Sequence, residues 1–563
     1  MPDSNQDAIE LAGQELSRPD QEDDTAEELY HFRISDVETH VRKPSRLKVK
    51  VRKILKLTTK MTFADFELTA KEIYNYCLKQ IKDSHELHTK RSKAVDMIKD
   101  VIERADVSYI DTVHVVHLTW SIMSCIHHFQ LRFRTGTNAL ITWTRRRKAQ
   151  ECMEVYGRLI KKLPKAMHRI ILNSMIVFYK EGKLWTIEFA LTDLICDLLY
   201  RYEDVEEALE DMITSAEEAS LTSHLDTQML IKVLYETLAK IRWSHMSETM
   251  LKRFLVMLRK SVIADPGELY HYASMRRGLN ICLRNITRNL NNKDLMLLLT
   301  IIIKKIAMSE IMENEILLEL GNIGEYAASR YVTHSFQVCF PDELLINLLT
   351  LISAENIYHN LFGSRVLQNL MDRHHNLFEF ENVRIYYKNV SYDINVSRFN
   401  VRDKIYFKRY RGAIHNALMV SLANHYTHKV NLENMYSTLA VICVEVPCAY
   451  TAASIVCIAM AMQEFVLDRV TGGSDMIANH HVHAIVMALM SLVCYVHKAG
   501  VFYDYVTKIM ERRSELAPHL NPPIKGSYAY AQHHVLWNKP ALFFEDWEVR
   551  YGLWKCFRAS DIK

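Results

Sequence analysis

Residues 191–198 read LTDLICDL, and this short stretch shows the pattern that decides the fold. Leucine or isoleucine stands at positions 191, 194, 195 and 198, the spacing that lines one face of an amphipathic helix. Residues 230–241 (LIKVLYETLAKI) and 251–262 (LKRFLVMLRKSV) show the same spacing. The pattern predicts one helix after another, each with a single buried face, over about residues 63–370.

The connections between these predicted helices are short and carry residues that end or begin helices. Examples are Leu163-Pro164, Asp265-Pro266-Gly267 and Phe340-Pro341-Asp342. Pairs of helices joined in this way give a unit of about 40 residues, which is the period of HEAT and armadillo arrays. From about residue 63 to 513 the chain therefore resembles the broad armadillo/HEAT superfamily. The resemblance implies an all-α fold, an α-solenoid of stacked helix pairs, with an irregular multi-helix stack as the alternative.

Composition and periodicity divide the chain into six segments. They are a disordered acidic tail (1–38), a basic segment (39–62), an N-terminal helical-repeat region (63–380), an irregular or β-hairpin insertion (381–409), a C-terminal helical-repeat region (410–513) and an aromatic C-terminal cap (514–563). The hairpin is predicted near 383–396, where apolar and polar residues alternate. The cap is expected to fold back over residues 484–513, because an exposed segment so rich in Trp and Phe would form an adhesive patch.

Length and composition exclude several classes of protein. The chain has 563 residues, of which only 15 are Gly and 11 are Pro. So few turn formers exclude collagen-like and low-complexity chains, and they argue against enzymes with glycine-rich nucleotide loops. The formal net charge is only +3, so the chain is not a bulk binder of polyanions.

Cysteine usage and the apolar runs favour an intracellular protein, cytoplasmic or nuclear. The 11 cysteines are scattered and include no CxxC pair, which predicts reduced thiols rather than a disulfide framework. The acidic N-terminus does not resemble a signal peptide. The two most apolar runs, 448–462 and 482–496, are shorter than the roughly 20 residues that cross a bilayer, so we expect buried helices there.

The chain lacks the common signatures of catalysis. It has no GxxxxGK[ST], GxSxG or HExxH motif. The strongest metal candidate is the histidine-rich run 479–483, but spacing places no third ligand, so buried or surface histidines are the favoured interpretation. We therefore expect no catalytic residues, no bound metal, no cofactor and no small-molecule substrate.

The most specific electrostatic signal is a run without a single acid, from Thr39 to Ala64, which holds nine cations. Apolar residues alternate with these cations, which favours the surface of an anionic membrane, although nucleic acid phosphates would also attract them. A segment that covers the first repeat, or that pairs with the acidic tail, is the structural alternative. The candidate residues for binding phosphates or an anionic surface are Arg42, Lys43, Arg46, Lys48, Lys50, Arg52 and Lys53, with a second cluster at Arg145, Arg146, Arg147 and Lys148.

Taken together, these patterns predict a non-catalytic scaffold or adaptor that binds protein partners along its helical surface. The basic segment would place it at an anionic membrane as a peripheral protein. The alternative is a nucleic-acid or chromatin-associated helical-repeat protein that uses the same cations.

Overall fold

A computed structural model describes residues 60–79, 84–131, 139–202, 205–241, 243–263, 275–309, 313–469, 476–525 and 539–558. Within these ranges the chain forms α-helices joined by turns and short 3-10 helices, and it contains no β-strand. The chain divides into two compact units, residues 1–212 and 213–563. The acidic tail and nearly all of the basic segment lie outside the described residues.

The first unit is built from helices of 12 to 24 residues. They are α1 (Phe63–Cys77), α2 (Ser84–Arg104), α3 (Thr112–Leu131), α4 (Ala139–Lys162), α5 (His168–Gly182), α6 (Glu188–Leu199) and α7 (Val205–Ser220), which continues into the second unit. The helices form two rows, α1–α3–α5 and α2–α4–α6, in which each helix packs against the next but one. The apolar residues of 191–198 explain this packing, because all four are fully buried on α6.

The second unit holds the remaining helices. They are α8 (His224–Lys240), α9 (Glu248–Ile263), α10 (Arg276–Asn289), α11 (Asn292–Ala307), α12 (Asn314–Arg330), α13 (Phe336–Cys339), α14 (Asp342–Ile352), α15 (Ile357–Met371), α16 (Val401–His425), α17 (Lys429–Glu445), α18 (Ala449–Arg469), α19 (Met476–His497), α20 (Gly500–Leu516) and α21 (Asp546–Arg558). They again form two rows, α8–α10–α12–α15–α17–α19 and α9–α11–α14–α16–α18–α21. This packing is that of an α-solenoid, so the predicted fold class is confirmed.

Ion pairs between successive repeats show the period of the second unit. Arg276 donates to Glu319 at 2.7 Å across 43 residues, and Lys304 donates to Glu343 at 2.8 Å across 39 residues. Arg365 lies 3.4 Å from Glu325, 40 residues away. Residues about one repeat apart in sequence are thus neighbours in space, which agrees with a unit of about 40 residues.

Two helices of the second unit, α18 and α19, are long and apolar enough to cross a membrane by length and composition. In the structure, 94% of the most apolar window of α19 is buried, against 56% for α18. α19 packs against α17, α18 and α20 and forms the centre of the C-terminal core. A helix that is apolar all round is expected in such a position.

The predicted β-hairpin near 383–396 is not present, because residues 381–400 form an irregular segment without strands. Several backbone donors of this segment bond to helix side chains instead of to a neighbouring strand. The N–H of Tyr386 donates to Ser491 Oγ at 3.1 Å, and the N–H of Lys388 donates to Tyr503 Oη at 2.6 Å. Helix α16 begins at Val401, so the first nine residues of this helix fall within the range that the sequence assigned to the insertion (381–409).

The described part of the aromatic C-terminus, 539–558, packs against α18 and α20. Leu542, Phe543 and Phe544 are buried, and α21 turns Val549 and Leu553 inwards. Gly552 has to be small, because an added Cβ would lie 2.8 Å from the side chain of Phe502. Trp547 and Trp554, however, are exposed, at 63% and 48%, so the cap stays a prediction.

Candidate functional site

The basic segment joins the repeat at an edge formed by the ends of two helices. Of its nine cations, the structure describes Lys60 alone, and Lys60 is exposed. The next residue, Met61, is buried, and its N–H donates to the carbonyl of Arg104 at 3.1 Å, at the end of α2. Lys162, the last residue of α4, donates to the carbonyl of Ile102 at 2.5 Å on the same helix end. We call this region, residues 60–61, 102–106 and 161–165, the basic rim.

The basic rim carries a net positive charge, because its lysines and arginine outnumber its acids. Lys60, Lys161 and Lys165 are all exposed within it. Hydrogen bonds from Ser108 lower the pKa of Asp106, and the charges of Lys60 and Lys162 lower it further. Carbonyls at helix C-termini carry partial negative charge, which explains why Lys162 is held there. Candidate residues Arg42, Lys43, Arg46, Lys48, Lys50, Arg52 and Lys53 lie outside the described residues.

The second predicted cluster lies near the other end of α4. Arg145 and Arg146 belong to this helix, although the structure does not describe their side chains. The side chain of Arg147 is exposed. Lys148 Nζ lies 3.0 Å from Glu151, which also binds Lys99, so Lys148 serves an ion-pair network within the unit. Fifteen residues separate Arg147 from Lys162, a distance of about 22 Å along a helix. The structure therefore does not bring the α4 cluster to the basic rim.

Other cations that follow in sequence are neutralised by acids of neighbouring helices. Arg158 donates to Glu103 at 2.9 Å, and Arg169 donates to Asp211 at 2.8 Å and to Glu207 at 2.6 Å. Exposed pairs of this kind contribute little stability each, but they cancel the local charge. Lys161 and Arg147 are thus more available to an anionic surface than these arginines.

A groove between α9 and α11 in the second unit combines exposed apolar side chains with cations. Its volume is about 730 Å³, and Val256, Ile263 and Met308 are exposed in its wall. Burial and the nearby charge of Arg259 lower the pKa of Lys305 in the same wall. The wall also holds acids, and Glu343 pairs with Lys304, so it is the exposed apolar residues that fit one face of an amphipathic segment. Sequence reasoning missed this groove because its residues are spread between 248 and 343, on separate repeats.

A buried polar centre fixes the base of the irregular segment 381–400. Glu445, fully buried, accepts from Ser397 Oγ at 2.9 Å and faces His374 Nδ1 at 3.0 Å; Arg373 donates to Asp403 at 2.5 Å. A serine–histidine–acid relay needs the hydroxyl and the acid on different ring nitrogens. Here Ser397 and Glu445 both face Nδ1 of His374, so this arrangement holds the segment in place and does not form a relay.

The histidine-rich run 479–483 lies in the core of α19. His481 Nε2 is 3.0 Å from the carbonyl of Lys525, and the ring of His480 packs 4.3 Å from that of His519. Burial, with the charge of Arg513 close by, lowers the pKa of His483 well below its usual value. No group of three or more His, Cys, Asp or Glu in the described part of the chain is arranged to hold a metal ion.

Two rows of helices, contacts that recur about every 40 residues and exposed grooves between repeats define an armadillo-type helical-repeat protein of the scaffold type. The family described as "EFR3, armadillo repeat" matches residues 77–539 of the sequence, well over half of the chain. The chain belongs to this family, which is more specific than the broad superfamily inferred from helix spacing.

Two curated relatives carry the same family name. The chain is 28% identical over 226 residues to "Protein EFR3 homolog cmp44E" of Drosophila melanogaster, covering 39% of this chain and 25% of the fly protein. It is 23% identical over 197 residues to "Protein EFR3 homolog A" of Mus musculus, covering 34% of this chain and 24% of the mouse protein. The matched region thus spans about a quarter of each relative.

Among solved structures, the karyopherin Kap121p bound to the SUMO protease Ulp1p aligns with 91% of this chain and 48% of its own chain. The TM-score of this alignment is 0.34 and the sequence identity is 9%.

Proposed function

We propose that the chain is a non-catalytic scaffold that binds a protein partner on its helical surface and is held on an anionic membrane by its basic segment. The observation that carries the membrane part is the run of nine cations without an acid, from Thr39 to Ala64. The run ends at the basic rim, where further exposed lysines continue the positive charge. Each cation near an anionic leaflet contributes about 1 kcal/mol, so several together hold a peripheral protein.

Apolar residues within the run favour a membrane over nucleic acid. Leu47, Val49, Val51, Ile54, Leu55 and Leu57 lie between the cations. Such residues insert beside lipid headgroups, whereas they gain nothing from a phosphate backbone. The protein partner is assigned to the groove between α9 and α11, because its exposed apolar residues suit one face of an amphipathic segment.

Vesicle flotation tests the membrane part. The natural chain should float with vesicles that contain phosphatidylserine and not with neutral vesicles, and salt should reduce the binding. Charge reversal of Lys48, Lys50, Arg52 and Lys53 to Glu should abolish flotation. Charge reversal of Arg365, which Glu325 neutralises in the second unit, is the control and should change it little.

Two results would contradict the proposal. If the natural chain does not float at low salt, the basic segment covers the repeat instead of binding lipid. If RNA binds tightly while vesicles bind weakly, the nucleic-acid alternative is correct.

Affinity purification with mass spectrometry tests the protein partner. A comparison of the natural chain with Met308→Glu identifies proteins that require the α9–α11 groove.

A further inference from the structure

A second groove, between α16 and α18 with α17 as its floor, has no role in the proposed function. Its volume is about 460 Å³. The floor and walls are apolar, and no acidic residue lines it. The apolar residues that form it are Phe407, Leu418, Leu439, Ile442, Ile455 and Ile458.

The polar groups in the wall are already used inside the helices. Ser454 Oγ donates to the carbonyl of Tyr450 at 2.9 Å, and Thr451 Oγ1 lies 3.3 Å from Cys448 Sγ. The backbone groups of the wall belong to continuous helices. An extended peptide in this groove would therefore bury its own N–H and C=O groups without partners, which is costly.

Size also argues against a helical peptide. One helical turn, about 5.4 Å long and 10 Å wide, occupies about 400 Å³. The groove would hold about one turn and leave the rest of a helix outside. A slender alkyl chain needs no hydrogen-bond partners and fills such a space, in the range of volumes typical of small-ligand sites.

Charge at the groove indicates what the alkyl chain carries at its end. Arg411 and His415 line it, one turn apart on α16, and both are exposed. Neither has an ion-pair or hydrogen-bond partner among the residues that the structure describes. Lys408 is exposed one turn earlier on the same helix. A carboxylate placed there would satisfy cations that are otherwise held near each other without an acid.

We propose that the α16–α18 groove binds a long-chain fatty acid, with the alkyl chain between α16 and α18 and the carboxylate at Arg411 and His415. This site goes beyond the proposed function, since it uses neither the basic segment nor a bilayer. It can therefore be tested without vesicles, and its failure would leave the membrane scaffold untouched.

Cys457 supplies a reporter in the wall of the groove. All 11 cysteines are described, and Cys457 is exposed while Cys556 is half-buried and the other nine are buried. A maleimide should therefore label Cys457 first. Palmitate, added to the full chain below its micelle-forming concentration, should slow this labelling in a saturable manner. Hexadecan-1-ol, which has the same chain length but no carboxylate, should slow it less.

Substitutions locate the two ends of the ligand. Arg411→Glu should weaken palmitate binding by about ten-fold or more, because one charge-assisted hydrogen bond is lost. Ala453→Trp, from a half-buried position in the wall, should fill the groove and abolish protection of Cys457. Arg402→Glu, on the opposite face of α16, and Ala413→Trp, outside the lining, are the matched controls.

Three results would overturn the proposal. The first is the absence of saturable protection in the natural chain. The second is equal protection by palmitate in the Ala453→Trp and Ala413→Trp variants, which would place the ligand elsewhere. The third is slow labelling that depends on protein concentration without any ligand, which would show that a second copy of the chain covers the groove.

Discussion

Two segments of the second unit pack on its helices without being part of a repeat, and they are held in different ways. The irregular segment 381–400 is fixed by hydrogen bonds from its backbone to helix side chains. The C-terminal segment 539–558 is fixed by buried aromatic and aliphatic side chains and by hydrogen bonds from Gln463 and Arg513 to its backbone. The comparison shows that polar contacts anchor both segments, and that only the added apolar residues of the C-terminal segment are visible as a composition change.

The arginines at the two anchors show the same contrast. Arg373 pairs with Asp403 and stacks on the ring of Phe336 at 3.9 Å, so a carboxylate balances its charge. Arg513 is fully buried and donates only to backbone carbonyls, at 2.7 Å to Leu542 and 3.0 Å to Leu520. Burial lowers the pKa of Arg513 to about 9, so it still carries its proton near neutral pH. Arg513 thus joins the C-terminal segment to α20 without an acid.

Removal of residues 527–563 should have the largest effect on this comparison. The deletion uncovers Phe502 and removes five buried side chains of the C-terminal segment, worth on the order of 10 kcal/mol in total. We expect an insoluble or strongly destabilised protein, measured by soluble yield and thermal melting. A stable monomeric truncation that loses only a partner would show that the segment is a docking motif and not a cap.

Acid should weaken the contact between α19 and α21. Burial lowers the pKa of His497 to about 4, and its ring packs 5.3 Å from Phe557 of α21. Because the unfolded histidine binds a proton near pH 6.5 and the folded one does not, stability is present above that pH and is lost as pH falls towards 4, by up to about 3 kcal/mol.

His497→Gln should therefore make the melting temperature less dependent on pH between 7.5 and 4.5. His334→Gln, at an exposed position, is the matched control and should leave the pH dependence as in the natural chain. Identical pH profiles for both variants would exclude His497 as a source of acid sensitivity.

The smallest effect is expected at the polar anchor. Tyr503→Phe removes the acceptor for the N–H of Lys388 and the donor to the carbonyl of Tyr386, at 3.0 Å. The cost should be about 1–2 kcal/mol, confined to local opening of 381–400. Hydrogen exchange of this segment should accelerate while α19 remains protected. An equal acceleration in Tyr387→Phe, where the ring is exposed, would show that the Tyr503 hydroxyl is not the anchor.

Much of the fold could be predicted because its main signal is local. The apolar spacing at 191–198 predicted α6, and the same residues are buried as expected. The alternation at 383–396 misled, because the segment packs on helices without burying every second side chain: Val390 and Val396 are exposed. Val383 and Tyr386 are indeed buried, but the bonds of the backbone go to Ser491 and Tyr503, more than 100 residues away.

The candidate site was less predictable, because charge in a sequence does not state which charges are already paired. Lys148 belongs to the predicted basic cluster, yet Glu151 neutralises it. Arg158 and Arg169 are likewise bound to acids of other helices. Arg411 belongs to a run rich in Lys, Arg and Tyr (398–411) that predicts no site by itself, and only the neighbouring groove gives it a chemical role.

The sequence by itself determined the helices, the spacing of the repeats and the position of the basic run, because each depends on residues close together in the chain. Tertiary structure alone decided which cations remain exposed, where the basic run joins the rim and how α16 and α18 open a groove. Those features depend on side chains from helices one repeat or more apart. Their distances are set by helix packing, and a local sequence pattern carries no information about them.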